Sequence, residues 1–108
     1  MNILKNHVTL VGNMGMPPLI TQFENGNKIA RFSLATDNLY KSKNGTDEKN
    51  TEWHRVFAWG NMAQFIENYG EKGKQLAIHG RLVNRTYLSK EGQKRNITEI
   101  EIKHIIGM

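Results

Sequence analysis

The stretch Thr51-Glu52-Trp53-His54-Arg55-Val56-Phe57-Ala58-Trp59-Gly60 constrains this chain more than any other part of it. Read as a strand, its side chains alternate between two faces. Trp53, Arg55, Phe57 and Trp59 fall on one face, and Glu52, His54, Val56 and Ala58 on the other. A core usually mixes aliphatic residues with its aromatic ones and does not seat an arginine among them. Three large rings around a guanidinium suit a surface that offers flat faces for stacking bases and a cation for phosphates.

The rest of the chain must be able to carry such a surface. Its 108 residues suffice for one domain, spanning residues 1–108, with one modest core. No apolar run approaches the roughly 18 residues of a membrane span, and the start, Met1 to His7, lacks the apolar region of a signal peptide. There is no cysteine, which excludes disulfides and thiolate chemistry and fits a cytoplasmic protein. Lys and Arg number 15 against 10 Asp and Glu, a net charge of +5 that favours polyanionic partners.

Strands dominate the pattern. His7 to Asn13 is short and β-branched and reads as a strand. Pro17 and Pro18 break it, because proline cannot donate to a ladder. Leu19 to Glu24 reads as a short edge strand, and Asn25-Gly26-Asn27 is a hairpin turn into a strand over Lys28 to Asp37. Ala30, Phe32 and Leu34 share one side of that strand. Asn38 to Asn50 is polar and lysine-rich and reads as a loop. After the aromatic strand, Asn61 is placed as the cap of a helix over Met62 to Tyr69, closed by Gly70. Met62, Phe65, Ile66 and Tyr69 lie on one face of that helix. Gln75 to Leu88 is a long strand with Leu76, Ile78 and Leu82 on the inner parity. Lys90 to Asn96 is a basic turn, and Ile97 to Ile106 a final strand with Ile100, Ile102 and Ile106 inward. With the short edge strand set aside, five strands with a helix between the third and fourth are the layout of an all-β, five-stranded Greek-key barrel of the OB type.

Catalysis finds little support. His7, His54, His79 and His104 are scattered without metal-ligand spacing, and no cofactor or metal is expected. Glu99 and Glu101 share a parity, but on a strand of alternating isoleucines they read as a solvated outer face. Val11-Gly12-Asn13-Met14-Gly15 lacks the lysine and helix of a phosphate-binding loop.

Binding has more support. Tyr40 is followed by Lys41 and Lys43. Tyr87 shares a parity with Arg81 and Arg85, and Lys90, Lys94 and Arg95 lie just beyond. Rings alternating with cations make a stacking surface inside an electrostatic funnel. Duplex bases already stack on one another, so exposed rings favour single strands, and nothing here reads as a helix for the major groove.

The chain resembles the bacterial single-stranded DNA-binding protein family. The resemblance rests on Asn6-His7-Val8-Thr9-Leu10-Val11-Gly12-Asn13, Phe32-Ser33-Leu34-Ala35-Thr36, Thr51-Glu52-Trp53-His54-Arg55-Val56, Gly60-Asn61-Met62-Ala63, Lys72-Gly73 and Ile78-His79-Gly80-Arg81-Leu82, in order over nearly the whole chain. It implies an OB-fold homotetramer that wraps single-stranded DNA in replication, recombination and repair, with no enzymatic activity or cofactor. The family's four stacking positions map to Tyr40, Trp53, Trp59 and Tyr87. Phe57 stands where the family often has an aliphatic residue, and its contact with DNA is an expectation to be checked. His54 matches a position associated with subunit contacts. Family members continue into a flexible linker with an acidic tip that recruits other enzymes. This chain stops at Ile106-Gly107-Met108 and reads as a tail-less relative or a truncated one, so recruitment through that tip does not follow. A short OB adaptor of the primosomal kind, holding proteins more than DNA, is the competing reading. A cold-shock-like RNA-binding barrel is disfavoured because its aromatic motifs are absent.

Overall fold

The computed structural model describes residues 5–108. The sequence reading of Met1 to Leu4 lies outside these described residues. The elements are β1 (Val8–Met14), β2 (Leu19–Gln22), β3 (Lys28–Lys41), β4 (Asp47–Trp59), α1 (Asn61–Tyr69), β5 (Gln75–Leu88) and β6 (Lys94–Gly107). The strands run in the order β1-β5-β6-β4-β3-β2, and β1 also pairs with β3. That last pairing closes β1, β5, β6, β4 and β3 into a five-stranded barrel, with β2 as a short hairpin partner on β3. The expected OB-type barrel is the fold found.

Alternation builds the core. Ala30, Phe32 and Leu34 of β3 meet Val56 and Ala58 of β4, Leu76 and Ile78 of β5, Ile100 and Ile102 of β6, and Met14 of β1. Each buried Leu or Ile contributes roughly 1.5–3 kcal/mol by leaving water. Helix α1 adds Ala63 and Ile66, while Phe65 stays exposed and stacks on Tyr69 with ring centres 5.2 Å apart. Phe65 therefore does not belong to the packed face that the helical spacing assigns it.

Four further expectations change. Asn61 is the first residue of the helix and not its cap. The flanking position is Gly60, at φ 64°, whose carbonyl accepts the first intrahelical bond from the Gln64 amide at 3.0 Å. The turn out of β4 needs a positive φ, which glycine adopts without steric cost.

The polar segment Asn38 to Asn50 is not a loop. β3 and β4 stay paired from Ile29↔Trp59 out to Lys41↔Asp47, so most of it is a long antiparallel arm. The basic turn at Lys90 to Asn96 likewise shrinks, because β5 and β6 remain paired out to Leu88↔Lys94. Each arm is a ladder with both faces in solvent, so it shows no apolar alternation.

Finally, Leu82 and Ile106 are not core. Leu82 lies where β5 leaves the barrel and is 47% exposed. In β6 a bulge intervenes: His79 pairs with His104 but Gly80 with Ile102, leaving Lys103 unopposed. The extra residue inverts the parity of all that follows. Ile105 packs against the core and Ile106 is 64% exposed.

Candidate nucleic-acid interface

Strand register assembles one continuous outer face. Across β3 and β4 it sets Ile29 beside Trp59, Arg31 beside Phe57, Ser33 beside Arg55 and Ala35 beside Trp53. Across β4 and β6 it sets Phe57 beside Glu101. Across β6 and β5 it sets Glu101 beside Arg81, Glu99 beside Val83, Ile97 beside Arg85 and Arg95 beside Tyr87. The rings and guanidiniums that the sequence places on β4 and β5 thus meet on one surface.

Trp53 is 63% exposed, and its ring lies against Gly15. Trp59 is also exposed, with the Phe23 ring tilted against it at 6.0 Å. Phe57 differs from expectation. It shares the face but is only 8% exposed, and the Arg31 guanidinium sits over its ring, 5.2 Å from the centroid. A ring so covered offers little open surface, unlike those of Trp53 and Trp59.

The two glutamates are also corrected. Glu99 is 5% exposed and not solvated. It accepts hydrogen bonds from Arg31 Nη1 and from Arg85 Nε, the latter at 3.0 Å. Glu101 accepts from Arg81 Nε at 2.8 Å and pairs with Lys103 Nζ at 3.4 Å. Partial burial pushes the Glu101 carboxyl up, but the Arg81 hydrogen bond and the Lys103 charge and hydrogen bond outweigh it, holding the group below the usual carboxylate range. Arg85 and Arg81 from the neighbouring β5 and Arg31 from β3, one strand further on, reach over β6, and that is why these acids are covered. Arg31 was not among the expected binding residues. Its signal was available, since it lies between Ala30 and Phe32 on the outward parity of β3, as Arg55 does between His54 and Val56 of β4.

The remaining expected residues divide between the arms. Tyr40, Lys41 and Lys43 are exposed near the end of the β3–β4 arm, and Tyr40 Oη donates to Glu48 Oε2 at 3.0 Å. By strand parity Tyr40 faces away from Trp53, so the structure does not bring these two rings together. Tyr87, Lys94 and Arg95 are exposed on the β5–β6 arm, where the Arg85 guanidinium lies 5.9 Å from the Tyr87 ring centroid. His54 is half-buried and shares a 2.9 Å hydrogen bond with Thr36 Oγ1. The other histidines are not scattered: His7, His79 and His104 form a stack, with ring centres 5.1 and 5.5 Å apart.

β4 and β6 pair only at Val56↔Ile100 and Phe57↔Glu101. Beyond that seam the two arms separate and leave two clefts between them. One, of about 460 Å³, is lined by Trp53, Arg55, Leu82, Ile97 and Thr98, among others. The other, of about 250 Å³, is lined by Arg31, Arg55, Arg85, Ile97 and Glu99, among others. Arg55 and Ile97 form a wall common to both. This arrangement offers an open ring, a groove and a line of cations, which are the parts a flexible polyanion with flat side groups needs.

Comparison with known proteins agrees with this geometry. The model of the Single-strand binding protein family matches residues 5–108. The chain is 38% identical over 101 residues to single-stranded DNA-binding protein 1 of Xylella fastidiosa, covering 93% of this chain and 74% of that protein. It is 38% identical over 96 residues to single-stranded DNA-binding protein 1 of Chlorobaculum tepidum, covering 88% of this chain and 59% of that one. It therefore spans about three fifths to three quarters of the length of these curated relatives. A solved structure of Plasmodium falciparum SSB in complex with ssDNA superposes with a TM-score of 0.87 at 30% identity, covering 100% of this chain and 99% of that one. With its motifs, its barrel and its matched residues in agreement, the chain belongs to the single-strand binding protein family.

Proposed function

We propose that this chain binds single-stranded DNA with little regard to sequence and protects it during replication, recombination and repair. The observation that carries the reading is the pair of exposed tryptophans, Trp53 and Trp59, on the outer face that also bears Arg55. Stacking on such rings is indifferent to base identity and contributes roughly 1–3 kcal/mol per base. Phosphate contacts add a salt-dependent term, with a slope of about −0.7 per phosphate neutralised on single strands. The names of the relatives, and the strand held in the Plasmodium falciparum complex, support the same reading. No step of it calls for a catalytic group or a cofactor.

Titrating oligo-dT at low salt tests it. Tryptophan emission should quench strongly, and an absence of quenching at stoichiometric concentrations would sink the reading. Trp53→Ala should weaken binding by about 1–3 kcal/mol and barely move the melting temperature. A loss of several degrees would instead make Trp53 a structural residue.

We also infer a homotetramer, in which the half-buried His54 meets a neighbouring subunit. Val11 and Ile106 leave exposed apolar surface on the outside of β1 and β6, which supports assembly. Light scattering at working concentrations decides between this and a monomer. A cytoplasmic location accords with the cysteine-free sequence, and no helix among the described residues is long and apolar enough to cross a membrane.

A further inference from the structure

We propose that the rim of the 250 Å³ cleft, where Arg31, Arg55 and Arg85 stand over an apolar lining that includes Met16, Leu19 and Ile97, is a subsite for one backbone phosphate, and that the buried Glu99 carboxylate holds that subsite in shape. This deepens the single-strand reading and rests on it.

The carboxylate stands between two strands' worth of cations. Its Oε2 accepts from Arg31 on β3, and its Oε1 accepts from Arg85 on β5. Each guanidinium is held a second time by a ring: Arg31 over Phe57 at 5.2 Å, and Arg85 near Tyr87 at 5.9 Å. Two holds on each side chain remove much of the rotamer freedom that binding would otherwise have to freeze.

A guanidinium carries five N–H donors in a fixed fork, and Glu99 engages one on each arginine. Both arginine side chains remain partly exposed, at 38% and 46%. Their free donors border the cleft and match the paired oxygens of a phosphate. The formal charges of Arg31, Arg85 and Glu99 sum to one positive unit, and Arg55 adds a second, so the cleft stays cationic despite its acid.

A buried ion cluster contributes little net stability, and apolar replacements of similar volume are often tolerated. Fold stability alone therefore gives weak reason for a covered carboxylate at this place. Its position beside the second cleft gives a better one. The wall formed by Arg55 and Ile97 separates the phosphate site from the groove that contains Trp53. A nucleotide can then stack its base at Trp53 while its phosphate rests among the arginines.

The test is Glu99→Gln in the full chain, titrated with oligo-dT over a range of salt beside the wild type. The amide keeps the shape of the carboxylate and removes one negative charge from a surface that meets a polyanion. A surface governed by net charge would bind more tightly. If Glu99 positions the arginines, binding weakens roughly five- to tenfold, and the salt slope becomes shallower by about 0.7, the loss of one phosphate contact. Tighter binding, or unchanged affinity and slope, overturns the proposal. Arg85→Lys carries the same test if the first variant fails to melt cooperatively. It keeps the charge and loses the fork, so weaker binding with a shallower slope is expected, and wild-type affinity overturns the subsite. If the wild type itself fails to quench, the single-strand reading falls first; if only the variants match it, the subsite alone falls.

Discussion

At the residue scale, the support beneath an exposed ring matters as much as the ring. A Cβ on Gly15 would overlap the Trp53 ring, whereas a Cβ on Gly12 would overlap the backbone carbonyl of Ala35. The first obstacle is an exposed side chain that can swing away; the second is a strand of the barrel. Gly15→Ala should therefore leave the melting temperature nearly unchanged, shift the Trp53 emission and weaken oligo-dT binding. Gly12→Ala should lower the melting temperature instead. Thermal melts and fluorescence on the two variants check the contrast, and a Gly15→Ala protein that binds like wild type would show that the ring needs no such seat. Trp53, Arg55 and Trp59 were legible in the sequence because alternation along a strand is a local property. Phe57 was not, since its cover, Arg31, arrives from the neighbouring strand through register. Glu99 was misread for the same reason: its two arginines come from β3 and β5, and no spacing along β6 announces them.

At the scale of elements, one unopposed residue organises the end of β6. Lys103 inverts the inward parity, so that Ile105 and not Ile106 packs against the barrel. Deleting Lys103 should turn the bulge into a regular ladder, with His104 still opposite His79 and Ile105 still inward. The expected outcome is a melting temperature close to that of wild type, measured by circular dichroism. A large fall would mean that the bulge itself, through the twist it adds, holds the strand end in place. The barrel order, the helix and the β2–β3 hairpin were legible because each carries its own period or turn residue. The arms were not. Their pairs, such as Asn38↔Asn50 and Tyr40↔Glu48, are polar on both faces, and continuation of a ladder begun in the core holds them in register.

At the scale of the whole molecule, acid stability follows from the charge pattern of the outer face. The folded Glu101 carboxyl lies below its ordinary value, near about 4.3 in an unfolded chain. A depressed folded value means that the charged form is stabilised by folding. That contribution is complete above the unfolded value and is lost as pH falls through the folded one. Glu101→Gln should therefore melt below wild type at neutral pH, and the gap should close as the pH is lowered past the carboxylate range. A gap that stays constant down to acid pH would refute the assignment.

The seam between β4 and β6 is two residue pairs long, and everything beyond it on that side belongs to the arms. With so short a seam, a change in the spacing of the arms would break no rung of the barrel. A polymer that must be gripped anywhere along its length and released on demand is better served by such a jaw than by a socket, because a jaw closes on whatever lies between its sides.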